Sequence, residues 1–167
     1  MPSYSELLKF AIDIAKEAGE IQRVYFGKNN TIKTKSTNID LVSQADIESE
    51  QLLINKIKTK FPDHDIIAEE SDLKQKNADF RWIIDPLDGT TNFVHKLPIF
   101  AVSIGIQYKE ETIVGVVYNP AADKLFYASK GEGAYLNKEI IRVSSSNTLS
   151  KSLIVTGFPY LHDKKWD

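Results

Sequence analysis

The protein has 167 residues, with 21 Lys or Arg and 23 Asp or Glu, so its formal net charge at pH 7 is −2. One domain is expected at this length, and the near-neutral charge gives no electrostatic sign of nucleic-acid or membrane binding. The absence of cysteine excludes disulfides, thiolate nucleophiles and cysteine-ligated metals. No apolar run approaches the ~20 residues of a membrane helix, and the N-terminus lacks a signal-peptide pattern. These features favour a globular cytoplasmic protein.

The first predicted element is an amphipathic helix over about Tyr4–Phe26. Ser3 followed by Glu6 is typical of a capping box, and Gly27 marks the end of the helix. Apolar residues recur at alternating spacings of four and three, which predicts one buried stripe: Leu7, Ala11, Ile14, Ala18, Ile21 and Tyr25.

A second helix is predicted over about Gln44–Lys60. Ser43 is its expected N-cap and Pro62 ends it, so Asp46 falls in the first turn. The polar stretch before this helix is interpreted as a loop, with a short extended piece at Thr31–Thr34.

From Asp65 onward the pattern changes to short strands. Two apolar runs, Ile66–Ala68 and Trp82–Ile84, each precede acidic residues. An alternating strand over Ala101–Tyr108 and several turn-separated strands follow, ending near Val143. Helices followed by hairpin-spaced strands predict an α+β fold, with an antiparallel sheet backed by the two helices.

The C-terminal part is expected to differ from the rest. Ser144–Ser152 is interpreted as a linker and Leu153–Thr156 as one further strand. We therefore divide the chain into a domain at 1–147 and, at 148–167, a linker with the first strand of a second domain. The three histidines are too scattered for a metal-ligand pattern, and each is interpreted as a surface or turn residue.

Acidic residues after the Trp82–Ile84 strand form the most informative pattern. Asp85 and Asp88 are three residues apart in a turn that contains Pro86 and Gly89. Two such carboxylates could converge on Mg²⁺, which prefers oxygen ligands. An ordinary Asp-Gly turn explains the same spacing at least as well.

Glu69 and Glu70 follow the Ile66–Ala68 strand in a similar way. If the two strands are neighbours, one of these glutamates reaches the same point as Asp85. Taken alone, either is more simply explained as part of a solvated acidic loop.

Longer blocks of sequence resemble a known family. The segment Trp82–His95, with Ile67–Ser71 upstream, resembles the inositol monophosphatase family, the lithium-sensitive, Mg²⁺-dependent phosphatases related to fructose-1,6-bisphosphatase. Nine residues from Asp85 to Phe93 match as one block, and the likeness extends over nearly the whole chain. It implies the sugar-phosphatase fold, with the family's C-terminal α/β domain absent from these 167 residues.

The resemblance implies roles for individual residues. Asp46 and Thr90 would position the attacking water, and Gly89 and Thr90 would offer backbone N–H groups to the phosphate. Two or three Mg²⁺ ions would be bound by Glu69, Asp85, the Leu87 carbonyl and Asp88. Glu69 is also assigned a catalytic role. Three further residues are assigned near the site, namely Glu70 beside the metal ligands and Lys35 and Asp40 in a neighbouring loop.

The implied function is hydrolysis of inositol monophosphate by a metal-activated water, with a small phosphorylated polyol as substrate and a homodimer as the assembly. No nucleic-acid or membrane partner is expected. Fructose 1,6-bisphosphate or a nucleotide 3′-phosphate is the alternative substrate, and a catalytically silent cation-binding fragment is the alternative class. The family's further Asp ligand and most ring-binding groups lie in its second domain, so we expect little activity from this chain alone.

Overall fold

The computed structural model describes residues 2–28, 32–34, 41–69, 71 and 73–156. Three α-helices, α1 to α3, occupy Tyr4–Tyr25, Gln44–Lys60 and Thr90–Val94. Nine strands, β1 to β9, occupy Ile32–Thr34, Leu41–Ser43, Asp65–Ala68, Phe80–Asp88, Ala101–Tyr108, Glu111–Asn119, Lys124–Ser129, Gly133–Leu136 and Glu139–Ile141. A 3₁₀ turn follows at Leu149–Lys151. The predicted α+β class is confirmed.

Helix α1 begins and ends as its capping residues predict. The Ser3 hydroxyl accepts a hydrogen bond from the Glu6 N–H, and Gly27 adopts φ +79° just after the helix. The buried stripe departs from the prediction near the C-terminal end, where Gln22 is fully buried while Ile21 and Tyr25 are only half-buried. A straight helix repeats every 3.6 residues, so a strict seven-residue repeat drifts away from the buried face.

Helix α2 has the predicted bounds because its N-terminus is closed by a reciprocal capping box. The Ser43 hydroxyl accepts from the Asp46 N–H, and the Asp46 carboxylate accepts from the Ser43 N–H. This arrangement satisfies two backbone donors that helix geometry leaves unpaired. It also fixes the Asp46 side chain at the start of α2.

Strands β3 to β9 form one sheet in sequential order, and β1 pairs with β2 separately. Every neighbouring pair in the large sheet is antiparallel except β3 and β4, which are parallel. The prediction of a wholly antiparallel sheet is therefore wrong at this pair. Residues 69–79 connect the strands and are long enough to return the chain to the end where β3 begins.

Both long helices pack on one face of the sheet and form the main core with it. The opposite face is less covered, and four of its apolar side chains are 38–42% exposed: Ile67, Ile83, Val117 and Phe126. Leu153, Ile154 and Val155 are exposed, and no strand forms at 153–156. The strand predicted there is assigned to a second domain and stays a prediction, because an isolated strand has no ladder to satisfy its backbone groups. Among the described residues, no helix combines the length and hydropathy needed to cross a bilayer.

Gly19 allows α1 to approach the sheet closely. A Cβ atom at this position would lie 2.6 Å from Cε1 of Tyr118 and 3.1 Å from Cβ of Pro120. The Tyr118 ring is only 3% exposed, so it cannot move aside freely. Any larger residue at position 19 would push the helix and the sheet apart.

We expect Gly19→Ala to destabilise the protein by about 1–3 kcal/mol, the usual cost of overpacking, although alanine favours helix by about 1 kcal/mol. Urea denaturation measures the change. The matched control is a double-mutant cycle with Tyr118→Val, which removes the ring and should make Gly19→Ala neutral or stabilising. An equal loss in both backgrounds would contradict the packing explanation.

Candidate active site

Four chain segments meet at one end of the sheet. The register pairs Ala68 of β3 with Ile84 of β4, so the next residues along the two parallel strands are Glu69 and Asp85. Helix α3 begins two residues after Asp88. The start of α2 joins this group through Asp46.

Glu69 and Asp85 are in direct contact. Burial and the hydrogen bond and charge of Glu69, with a smaller contribution from the charge of Asp88, raise the pKa of Asp85 to about 7. The Leu87 N–H donates to Oδ1 of Asp85 at 3.1 Å and opposes the shift. Adjacent carboxylates cannot all ionise without repulsion, so this cluster favours either a shared proton or a cation.

The raised pKa predicts a pH-dependent stability in the absence of divalent cations. The folded chain retains a proton on Asp85 that the unfolded chain releases above its ordinary pKa of 3.8. The free energy of unfolding should therefore decrease as pH rises from about 4 to about 7. Urea denaturation in EDTA at a series of pH values measures it, and Asp85→Asn should lower the slope. An unchanged slope in that variant would assign the pH dependence to other groups.

The donor chemistry at this end of the sheet fits a hard cation. Carboxylates of Glu69, Asp85 and Asp88, with the Leu87 carbonyl, supply only oxygen atoms, as Mg²⁺ requires. Asp88 and Glu69 are exposed, whereas Leu87 is buried. Among the described residues, no three His, Asp or Glu side chains are grouped closely enough to surround one ion. The contact of Glu69 with Asp85 is compatible with a cation site, while the role of these residues as metal ligands remains a prediction.

Thr90 links the acidic end of β4 to α2. The prediction that the chain turns from Asp85 onward is wrong, because β4 runs to Asp88 with a register shift between Asp85 and Asp88, and the turn lies at Gly89. Its hydroxyl lies 2.9 Å from Oδ1 of Asp46 and 3.1 Å from the carbonyl oxygen of Leu87, and both oxygens are acceptors. Asp46 is 1% exposed. Burial raises the pKa of this carboxyl, against the hydrogen bonds from Ser43 and Thr90, which lower it. Since the hydroxyl proton is shared with these acceptors, the lone pairs of Thr90 are available to a water molecule.

Gly89 makes the tight transition from β4 into α3. It adopts φ +92°, and a Cβ atom here would lie 3.0 Å from the carbonyl oxygen of Ile99. Only glycine adopts this conformation at low cost. Helix α3 begins at Thr90, as the predicted phosphate-binding role of Gly89 and Thr90 requires, but it has only five residues.

Sequence reasoning missed Gln22, which hydrogen-bonds to the backbone of β4 between Asp85 and Asp88. The Nε2 atom of this fully buried residue donates to the carbonyl oxygen of Pro86 at 2.6 Å. A polar residue within the apolar face of α1 was the available signal. The other predicted site residues, Lys35, Asp40 and Glu70, lie outside the described residues.

Comparison with known proteins shows the family to which this chain belongs. The model of the inositol monophosphatase family matches residues 3–167. The chain belongs to the inositol monophosphatase family. Its relatives include "Nus factor SuhB" of Pasteurella multocida, 45% identical over 92% of this chain and 58% of that protein. "Inositol monophosphatase 2" of Solanum lycopersicum is 45% identical over 95% of this chain and 62% of its own length.

Solved structures of the family are similar to this fold. The inositol monophosphatase of Anabaena is 40% identical with a TM-score of 0.78, covering 92% of this chain and 56% of that one. The Thermotoga maritima enzyme is 38% identical with a TM-score of 0.78, covering 83% and 54%. This chain thus spans about 58–62% of the first curated relatives' lengths.

Proposed function

We propose that the protein acts as a Mg²⁺-dependent phosphomonoesterase on inositol monophosphate. The observation that carries this proposal is the contact of Glu69 with Asp85 beside the hydrogen bond from Thr90 to Asp46. An acidic pair for a cation and a hydroxyl–carboxylate pair for a water are the two parts that metal-assisted hydrolysis needs. The cytoplasmic location and the homodimer remain predictions from the sequence.

In this proposal Asp46 and Thr90 orient the attacking water. Thr90 donates its proton toward Asp46 and accepts one from the water, which fixes the water's direction. Gly89 and Thr90 direct backbone N–H groups at the phosphate. Because Asp46 is also held by Ser43, the pair is positioned before substrate arrives, which lowers the entropic cost of reaction.

Glu69, Asp85, Asp88 and the Leu87 carbonyl are the groups that would hold magnesium. A bound magnesium ion would neutralise phosphate oxygens and lower the pKa of a coordinated water. The protein's own contribution is to hold the carboxylate oxygens of Glu69, Asp85 and Asp88 close together despite their mutual repulsion. The end of β4, where the Pro86 carbonyl accepts a hydrogen bond from Gln22, supplies that restraint.

Because the relatives are longer, the test uses both this chain and a chimera. Residues 1–156 are joined to the remaining C-terminal part of the Anabaena relative, and phosphate release from inositol monophosphate is measured with and without Mg²⁺. We expect the chimera to be active only with Mg²⁺ and this chain to be much slower. A folded chimera that binds Mg²⁺ but releases no phosphate from any substrate would support the silent cation-binding alternative.

The same assay decides between substrates. A relative from Aquifex aeolicus is named "Fructose-1,6-bisphosphatase/inositol-1-monophosphatase", so fructose 1,6-bisphosphate belongs in the panel beside a nucleotide 3′-phosphate. We expect the highest kcat/KM with inositol monophosphate. Faster hydrolysis of either alternative would replace the proposed substrate but retain the reaction.

A further inference from the structure

A cavity lies at the opposite end of β3 from Glu69. Its volume is about 300 Å³, and it forms between the end of α2, the start of β3 and the segment that follows β3. Polar groups on its wall include Lys58, His64, Lys74 and Lys76, and apolar groups include Ile66 and Leu73. The proposed phosphatase chemistry uses none of these residues.

His64 presents one defined edge to this cavity. Its ring is stacked between Phe61 and Phe80, with centroid distances of 4.8 and 4.6 Å. Its Nδ1 accepts a hydrogen bond from Nε1 of Trp82 at 3.0 Å. A neutral imidazole that accepts at Nδ1 carries its proton on Nε2, and the residue contributes to the cavity wall. The ring is therefore a fixed N–H donor, and His64 lies in a turn closed by its N–H to the carbonyl oxygen of Phe61, consistent with the prediction of a surface or turn residue.

Three lysines supply positive charge around that donor. Nζ of Lys76 donates to the carbonyl oxygen of Pro62 at 2.6 Å, which leaves two of its three protons for a ligand. Within the part of the chain that the structure describes, neither Lys58 nor Lys74 forms an ion pair. Ammonium groups without a carboxylate partner favour an anion.

Two carboxylates, Asp65 in the wall and Asp63 beside His64, offset part of this positive charge but leave the three lysines in excess. Oδ1 of Asp65 accepts from the Lys76 N–H at 2.6 Å, and Oδ2 accepts from the Ala78 N–H at 2.8 Å. Gln75 adds a hydrogen bond to the carbonyl oxygen of Ile66 at 2.8 Å. These bonds tie the segment that carries Lys74 and Lys76 to β3. The lysines are thus attached to an ordered backbone.

We propose that this cavity binds a small organic phosphate. Its phosphate group lies among Lys58, Lys74 and Lys76 and accepts from Nε2–H of His64, while its carbon body lies against Ile66 and Leu73. The cavity is near the lower limit of ordinary ligand pockets, which restricts the ligand to a small molecule. Strand β3 has four residues, about 13 Å at ~3.3 Å per residue, and separates this cavity from Glu69.

Phenylphosphonate is a suitable probe because the phosphatase reaction cannot hydrolyse its C–P bond. It is titrated into the isotopically labelled chain in EDTA, and NMR follows the His64 ring and the backbone amides of Leu73 and Lys76. We expect saturable shifts at these groups with a Kd of about 1–10 mM, the weak range of affinity. Absence of saturation at His64 up to about ten times that range, or saturable shifts only around Gly89 and Thr90, would overturn the proposal.

Matched double variants test the lysines. Lys58→Gln with Lys74→Gln should weaken binding roughly tenfold, as expected for two exposed charge pairs. Lys9→Gln with Lys16→Gln, two exposed lysines on α1, removes the same charge and should change Kd less than about twofold at 0.15 M salt, where distant charges are screened. If both double variants weakened phenylphosphonate binding equally, the effect would come from the net charge of the protein, and the proposed site would be wrong.

Inorganic phosphate tests the apolar wall. It should bind His64 at least about threefold more weakly than phenylphosphonate, because burying even one methylene-sized apolar group contributes about 0.8 kcal/mol. Equal affinities would overturn the assignment of an organic ligand.

Discussion

Asp85→Asn should weaken Mg²⁺ binding by this chain at least about 100-fold. Loss of a residue that only hydrogen-bonds to a metal ligand weakens metal affinity by up to about 100-fold, and Asp85 is proposed to bind the ion itself. The substitution keeps the shape of the side chain and removes its charge. It also removes the acid that contacts Glu69. In the chimera, Mg²⁺-dependent hydrolysis should fall by a similar or larger factor.

Calorimetric titration with Mg²⁺ measures the first effect and phosphate release the second. Asp13→Asn is the matched control, because Asp13 is exposed on α1 and the variant has the same formal charge. Circular dichroism should show that both variants remain folded. If Asp85→Asn left the Mg²⁺ affinity unchanged, Asp85 would not be a metal ligand, and the function proposed for the end of β4 would be wrong.

Asp46→Ala is expected to lower the free energy of unfolding by about 2–4 kcal/mol, combining the loss of a helix cap with unpaired buried donors. Asp46 accepts from the Ser43 N–H at 2.8 Å and from the Ser43 hydroxyl at 2.5 Å. It also accepts from the Thr90 hydroxyl. Its removal therefore leaves a donor at the start of α2 and a donor at the start of α3 without an acceptor.

Two further variants separate structure from catalysis at this position. Asp46→Asn keeps one acceptor oxygen and avoids the burial of a charge, so it should cost less stability than Asp46→Ala. Thr90→Val removes only the link to Asp46 and should cost about 1 kcal/mol. Both should nevertheless strongly reduce hydrolysis by the chimera if the pair orients water. Activity close to wild type in both variants would leave Asp46 with a capping role alone.

The helices were predictable because their determinants are local. Ser43 and Asp46 close the N-terminus of α2, and Pro62 follows its end, so the predicted bounds agree with the structure. The burial of Gln22 was not predictable from the apolar repeat. Its partner, the Pro86 carbonyl, is 64 residues away in sequence, so the local pattern could mark Gln22 as unusual but could not identify the residue it contacts.

The candidate site was predictable in part. The spacing of Asp85 and Asp88 indicated a cation or a simple turn with equal justification, and only the resemblance of the surrounding block favoured a phosphatase. The contact of Glu69 with Asp85 depends on the parallel pairing of β3 with β4. Hairpin-like spacing favoured an antiparallel sheet, and the direction of a strand pair across an 11-residue connection is not fixed by local sequence.

By itself, the sequence determined the α+β class, the two long helices, the turn at Gly89 and the family resemblance, because capping, periodicity and turn chemistry act over a few residues. The tertiary structure decided which end of the sheet gathers Glu69, Asp85 and Asp46, because that requires the strand direction and register. It also decided that His64 is enclosed between aromatic rings and bonded to Trp82. These outcomes depend on long-range packing, in which each side chain's environment is supplied by residues far away in the chain.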